Sequence, residues 1–234
     1  MLAIIPARGG SKGIVKKNII DFAGKPLIQW TIEAAKKSRY IDKIILSTDN
    51  QEIATLCRGM GVDIPFLRPA ELARDKSMAI DNYIYTIDRL NRDFSYKCQH
   101  FVVLLPTSPL RTASDIDSAI KLFHDENADS VISISKLHHP YEWILSLRDS
   151  GKIQPQKDIE LKQMMNRQDS QKYYLPNGAI YVFKLQLLKN HYSYYSKNTF
   201  GYKMPVERSV DIDTQHDLDY ARYLHSRIFT NNES

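Results

Sequence analysis

Leu2-Ala-Ile-Ile-Pro6 runs, through Ala7, straight into Arg8-Gly9-Gly10-Ser11-Lys12-Gly13. An unbroken apolar stretch this short has no polar alternation, so it reads as a strand buried on both faces of a parallel sheet. The glycines that follow make a turn, not the continuation of a helix. The same rhythm recurs downstream. Strands are expected at 43–47, 62–66, 100–105 and 130–135, and helices at 26–37, 50–58, 77–92 and 114–126, with Pro26 suited to a first helical turn. Repeated strand-then-helix units give an α/β fold, Rossmann-like, with a mostly parallel central sheet and ligands outside the carboxyl ends of its strands.

The rhythm fails between residues 138 and 176, where Trp143, Pro155 and polar runs leave no clean period. This stretch is read as a small insertion of hairpin and irregular structure, serving as a lid or a dimerisation segment. Order returns with a strand at 177–183, then a strand end at 210–213 leading into a helix at 214–228. Thr214 with Asp217 resembles a capping box at that helix start. The α/β domain therefore comprises residues 1–137 and 177–230, with 138–176 inserted. At 234 residues the chain is one large domain carrying a smaller piece.

Composition removes several function classes. Hydrophobic residues at 43% and charged residues at 25% are ordinary globular usage. A formal charge of +5 suits anionic small ligands and is too mild to argue for nucleic acid. Cys57 and Cys98 show no metal-ligand spacing and read as free thiols in a reducing compartment. No apolar run is long enough for a bilayer span, and the opening strand lacks the basic flank of a signal peptide. A cytoplasmic protein without membrane or nucleic-acid partners is expected.

Glycines at a strand-to-loop turn expose backbone N–H groups, and Arg8, Lys12 and Lys17 bring cations to the same place, a combination that suits a polyphosphate. The loop is neither GxxxxGK[ST] nor GxGxxG. Asp211 and Asp213 stand two apart on an expected strand end, so both side chains share one face and can share a hard divalent cation. Beside a polyphosphate loop they suggest Mg²⁺. Alone, such a pair is as often turn and cap chemistry. Asp49 follows the second strand, where it serves either as a site carboxylate or as a helix cap. Arg68, Ser77, Arg111 and Arg167 are polar groups in loops at strand ends, placed to meet a base, a ribose or a carboxylate. The histidines lack ligand spacing. The Tyr192, Tyr194 and Tyr195 cluster reads as packing or interface, because no cations interleave it.

Taken together, Ile4-Ile-Pro-Ala-Arg-Gly-Gly-Ser-Lys-Gly-Ile14, Lys17-Asn18, Leu46-Ser-Thr-Asp49, Arg68-Pro-Ala-Glu-Leu-Ala73 with Asp75, Pro106-Thr-Ser-Pro-Leu-Arg111, Arg167-Gln168, Asn177-Gly-Ala-Ile-Tyr181 and Asp211-Ile-Asp-Thr214 resemble the acylneuraminate cytidylyltransferases, in the family's order and over nearly the whole chain. The resemblance implies transfer of CMP from CTP to the anomeric hydroxyl of a nonulosonic acid, with pyrophosphate released and Mg²⁺ required, in a homodimer. It implies that Arg8, Lys12 and Lys17, with Gly9 and Ser11, hold the triphosphate. Asn18 and Arg68 would hold the cytidine, with Ser77 and Arg111 as further substrate contacts. Asp211 and Asp213 would carry the metal, and Arg167 and Asn177 would lie at the sugar end.

The departures from the sialic acid pattern fall mostly at the sugar end. Leu105 stands where Gln commonly precedes Pro-Thr-Ser-Pro, Leu175 where a basic residue often precedes Pro-Asn-Gly, and Glu142 where a Lys occurs. Val15 replaces a proline in the loop. These changes point to a sialic acid relative of the legionaminate or pseudaminate type. The alternatives are a nucleotidyltransferase for another sugar acid such as 3-deoxy-octulosonate, and a catalytically idle homologue that only binds nucleotide.

Overall fold

A computed structural model describes residues 1–11, 13–155 and 172–229. The chain opens with β1 (Leu2–Pro6), the short hairpin β2 (Asp21–Phe22) and β3 (Lys25–Pro26), then α1 (Leu27–Lys37), β4 (Lys43–Ser47) and α2 (Gln51–Arg58). It continues through α3 (Ala79–Asp93), β5 (His100–Val103), α4 (Ala113–Asp125) and β6 (Ser130–Lys136). A hairpin of β7 (Leu145–Leu147) and β8 (Ile153–Pro155) precedes β9 (Tyr174–Lys184), α5 (Leu185–His191), β10 (Thr199–Lys203) and α6 (Gln215–Phe229).

Among the described residues the main sheet has six strands in the order β10-β6-β9-β5-β1-β4. All run one way except β9, which pairs antiparallel with both β5 and β6. The expected mostly parallel sheet is therefore present, with one reversed strand near its centre. Each strand of the sheet centre sends alternate residues to opposite cores. Ala3 and Ile5 face Ile28, Ile32 and Ala35 of α1 and Ile116, Ile120 and Phe123 of α4. Leu2 and Ile4 face Ile80, Ile87 and Leu90 of α3 and Leu187 and Leu188 of α5. Covering both faces is why these strands read as continuous apolar runs.

Local chemistry sets the helix starts. Asn50 caps α2, its side chain accepting from the Ile53 amide at 3.0 Å. Thr112 and Asp115 form a reciprocal capping box at α4. Thr214 and Asp217 do the same for α6: Asp217 Oδ2 accepts from the Thr214 amide at 2.7 Å, and the Asp217 amide donates to Thr214 Oγ1 at 3.3 Å.

Two expected strands are corrected. Residues 62–66 make only a single parallel bridge, Ile45 to Asp63. Pro65 has no N–H to extend the ladder. Residues 210–213 form no strand: Ile212 donates its amide to Thr107 O at 2.8 Å, and the rest of the stretch is irregular. The strand expected at 177–183 starts earlier, at Tyr174, and β10 and α5 are additional. The hairpin expected in the insertion is β7–β8, closed at Gly151.

Candidate active site

The loop after β1 is tied down at its start. Gly9 donates its amide to Asp49 Oδ1 at 3.0 Å, and Asn18, itself buried, donates from Nδ2 to the Arg8 carbonyl at 2.9 Å. Asp49, just past the end of β4, and Asn18, in the short turn at Lys17–Ile19, therefore organise the cationic turn. From the short 3-10 turn at Lys17–Ile19, Lys17 Nζ reaches across 196 positions of sequence to Asp213 Oδ1 at 2.7 Å, and it also donates to the Ile212 carbonyl at 2.8 Å. The N-terminal cations and the C-terminal carboxylates therefore meet.

They meet in a cavity of about 730 Å³ beyond the carboxyl ends of β1 and β5, where Pro6, Arg8, Lys17, Thr107 and both aspartates contribute to its wall. Arg8 crosses the mouth to Asp75 at 3.0 Å. Arg68, 7% exposed, forms another part of the wall; its Nη2 lies 3.5 Å from Asp49 Oδ1, and its Nε is buried without a partner among the described residues. Burial lowers the proton affinity of Arg68 and Asp49 opposes the shift, so the cation persists with one donor direction unspent. Beyond these groups, Leu105, Tyr181 and Tyr194 make an apolar wall continuous with the core under α3.

The carboxylate pair sits where backbone leaves no room for side chains. A Cβ on Gly13 would lie 2.1 Å from the Asp213 carbonyl oxygen. One on Gly178, at φ +75°, would lie 2.8 Å from Asp211 Oδ2. Crowding by protein raises the Asp211 carboxyl above its ordinary range, against a hydrogen bond from Thr107, and the charges of Asp213 and Asp217 push the same way as the crowding. Like charges gathered at one point are what a hard cation relieves. Two carboxylates are also the usual protein share of a Mg²⁺ shell completed by phosphate oxygens and water. Among the described residues no third acidic, His or Cys ligand joins them.

Of the residues expected at the site, Arg8, Ser11, Lys17, Asn18, Arg68, Ser77, Asp211 and Asp213 line the cavity. Gly9 supports the loop from behind. Lys12 and Arg167 lie outside the described residues. Arg111 is corrected: it is 3% exposed and donates to the carbonyls of Leu105 at 3.2 Å and Ala179 at 2.8 Å and to Thr31 Oγ1 at 2.7 Å, so it braces the turn after β5 from inside the protein. Burial drives its guanidinium down to about 9. Asn177 is corrected as well. Its amide is spent on Ser133 Oγ at 2.6 Å and Ser209 Oγ at 2.9 Å, inside the fold. Sequence reasoning overlooked Asp75, Thr107 and Tyr181 as wall residues, although all three stand within the recognised motifs. Tyr194 both packs, against Tyr83 and Phe183, and lines the cavity.

Residues 2–234 match a family model described as cytidylyltransferase. An N-acylneuraminate cytidylyltransferase of Escherichia coli O18:K1:H7 is 32% identical over 222 residues, covering 94% of this chain and 51% of that protein. The chain thus spans about half the length of that relative. A CMP-N,N'-diacetyllegionaminic acid synthase of Legionella pneumophila is 34% identical over 226 residues, covering 94% of this chain and 93% of that one. A solved CMP:2-keto-3-deoxy-manno-octonic acid synthetase complexed with CTP is similar in fold, with a TM-score of 0.68 at 14% identity over 97% of this chain and 98% of that chain.

Proposed function

The chain belongs to the cytidylyltransferase family, and from that premise we propose that it transfers CMP from CTP to the anomeric hydroxyl of a nonulosonic acid, a sialic acid or a legionaminate or pseudaminate relative, releasing pyrophosphate. The observation that carries this reading is the 2.7 Å contact between Lys17 and Asp213, which joins the polyphosphate loop to the carboxylate pair in one cavity.

In the proposed reaction the anomeric oxygen attacks the α-phosphorus, the bond to the α–β bridging oxygen breaks, and pyrophosphate leaves with the electron pair. Such a transfer asks the protein for positioning and charge neutralisation more than for covalent chemistry. Arg8 exchanges Asp75 for phosphate oxygens, Lys17 serves phosphate while keeping Asp213 in place, and Lys12 joins them. Arg68, a residue of the cavity wall, is assigned to the nucleoside, with Asn18 holding the loop. Asp211 and Asp213 would hold Mg²⁺, which supplies neutralisation of the phosphate oxygens and a lower proton affinity for the attacking hydroxyl. The wall of Leu105, Tyr181 and Tyr194 supports an acceptor with acyl or methyl groups, and Arg167 is assigned to its carboxylate.

A homodimer belongs to the same reading. Leu147 is 74% and Ile153 65% exposed on the β7–β8 hairpin, with Leu145 and Leu175 also open to solvent, an apolar surface that a second copy would cover. Among the described residues no helix is long and apolar enough to cross a membrane. Cys57 and Cys98 form no disulfide among the described residues, and burial raises each thiol to about 11.

The test is pyrophosphate release by the purified protein with CTP, Mg²⁺ and a panel of sugar acids. Turnover with a sialic, legionaminic or pseudaminic acid is the expected result. Turnover with 3-deoxy-octulosonate alone would move the acceptor class, and CTP binding with no release from any acceptor would leave a nucleotide-binding homologue without this activity.

A further inference from the structure

The carboxylate pair does not sit on a strand, so no sheet ladder fixes it. Besides the Ile212 amide on the Thr107 carbonyl and Lys17 on Asp213, residues 205–213 are pinned by side chains away from the cavity wall. Asp115, with its side chain 1% exposed, accepts two hydrogen bonds from Arg208, Nη2 to Oδ1 at 2.7 Å and Nε to Oδ2 at 3.0 Å. The same carboxylate closes the α4 capping box with Thr112 and accepts from the Tyr202 hydroxyl at 3.1 Å. One residue on, Ser209 is held between Asn177 Nδ2 at 2.9 Å and the Pro205 carbonyl at 2.7 Å. Three residues past Arg208 the chain delivers Asp211. Neither Arg208 nor Asp115 lines the cavity.

We infer that Arg208 is a positioning residue for the metal-binding carboxylates: its fork on Asp115 fastens the arm that carries Asp211 and Asp213 to the start of α4, and thereby sets how tightly a divalent cation is held with bound CTP. The inference rests on the reading of Asp211 and Asp213 as cation ligands. A planar, bidentate fork defines direction as well as distance, which a lysine ammonium at the same place does not. Partners that orient metal ligands from behind affect metal affinity by about 10–100-fold when removed. Burial alone would raise the Asp115 carboxyl, but Arg208 and Thr112 hold it below its usual range, so the pair stays ionised and the anchor stays closed at neutral pH.

The experiment compares wild type, Arg208→Lys and Tyr202→Phe. Free Mn²⁺ is followed by electron paramagnetic resonance as it titrates protein saturated with CTP in the absence of any sugar acid, and kinetics and thermal melting are measured alongside. Arg208→Lys is expected to raise the half-saturating Mn²⁺ concentration about tenfold or more, with a comparable fall in kcat and a KM for CTP within about twofold of wild type. Tyr202→Phe touches the same carboxylate without touching the arm, so it lowers the melting temperature slightly and leaves Mn²⁺ binding unchanged. Wild-type Mn²⁺ affinity in Arg208→Lys overturns the anchoring role, as does an equal loss in Tyr202→Phe, which would mark a general effect of stability. A wild-type protein that takes up no Mn²⁺ with CTP overturns the inference together with the cation-ligand reading beneath it.

Discussion

At Asp213 the chain allows the loop from β1 no more than a glycine. An alanine methyl at position 13 would fall 2.1 Å from the Asp213 carbonyl oxygen, and that atom is backbone, so the loop or the arm must move. A Cβ on Gly10, three residues earlier in the same loop, would meet nothing within 4 Å among the described residues. Gly13→Ala is therefore expected to lower kcat/KM by about 100-fold, the order of loss that a misplacement of 1 Å brings. Gly10→Ala should stay near wild type, and initial rates on the two variants check the contrast. Asp211 supplies a second prediction at this scale. Its carboxyl is raised in the folded protein by crowding, then by its acidic neighbours, so the native state binds that proton more tightly than the unfolded chain does. Above the raised value the ionised group opposes folding, and the opposition fades as pH falls through it. Asp211→Asn should abolish turnover yet raise the melting temperature slightly at pH 7, a gain that solvent screening of this exposed carboxylate keeps small. That gain should vanish in melts near pH 3. Single residues were legible where a run of charged and glycine residues stood together, as at Arg8 and Lys17. They were misread at Arg111 and Asn177, because a polar side chain beside a loop can turn inward to free carbonyls and hydroxyls, and sequence does not say which way it turns.

The elements were easiest to read where the backbone signals its own ends. The α6 capping box followed from Thr214 and Asp217, and its geometry adds something the pattern lacked: Asp217 Oδ2 also accepts from the Asp213 amide at 3.1 Å, so the helix cap and the carboxylate arm share one acceptor. Thr214→Ala removes the hydroxyl that donates to Asp217 Oδ2 at 2.7 Å and accepts from the Asp217 amide. The expected loss is about 1 kcal/mol, measured as a lower denaturation midpoint in urea with an unchanged slope. The arm itself was misread as a strand end because Val210-Asp-Ile-Asp213 has strand-like residues and a buried Ile212. What decides between strand and irregular segment is whether a neighbouring edge offers a ladder, and here only Thr107 does. β10 escaped notice for the opposite reason. Phe200 and Tyr202 alternate, but a glycine between them weakens the pattern, and only its packing against Ile134 shows why that position is kept small.

For the molecule as a whole, the alternation of strands and helices announced the sheet but not the direction of β9. An apolar run covered on both faces looks the same in either sense, so reversal is invisible until the connections are known. The same covering explains why exposed apolar residues on the β7–β8 hairpin stand out: the strands at the centre of the main sheet bury their aliphatic side chains against helices, whereas Leu147 and Ile153, 74% and 65% exposed, have no such cover among the described residues. If a second copy supplies it, charging the hairpin face should separate the subunits without dismantling the site. Arg8, Lys17, Arg68, Asp211 and Asp213 all line one cavity within one chain, and none lies on the hairpin. The double variant Leu147→Asp, Ile153→Asp is expected to sediment as a monomer where wild type sediments as a dimer, and to bind CTP within about twofold of wild type by calorimetry. A wild-type monomer would remove the second copy as the occupant of that face. A monomeric variant that has lost CTP binding would mean that the nucleotide site depends on the neighbour, contrary to the arrangement of its cations within a single chain.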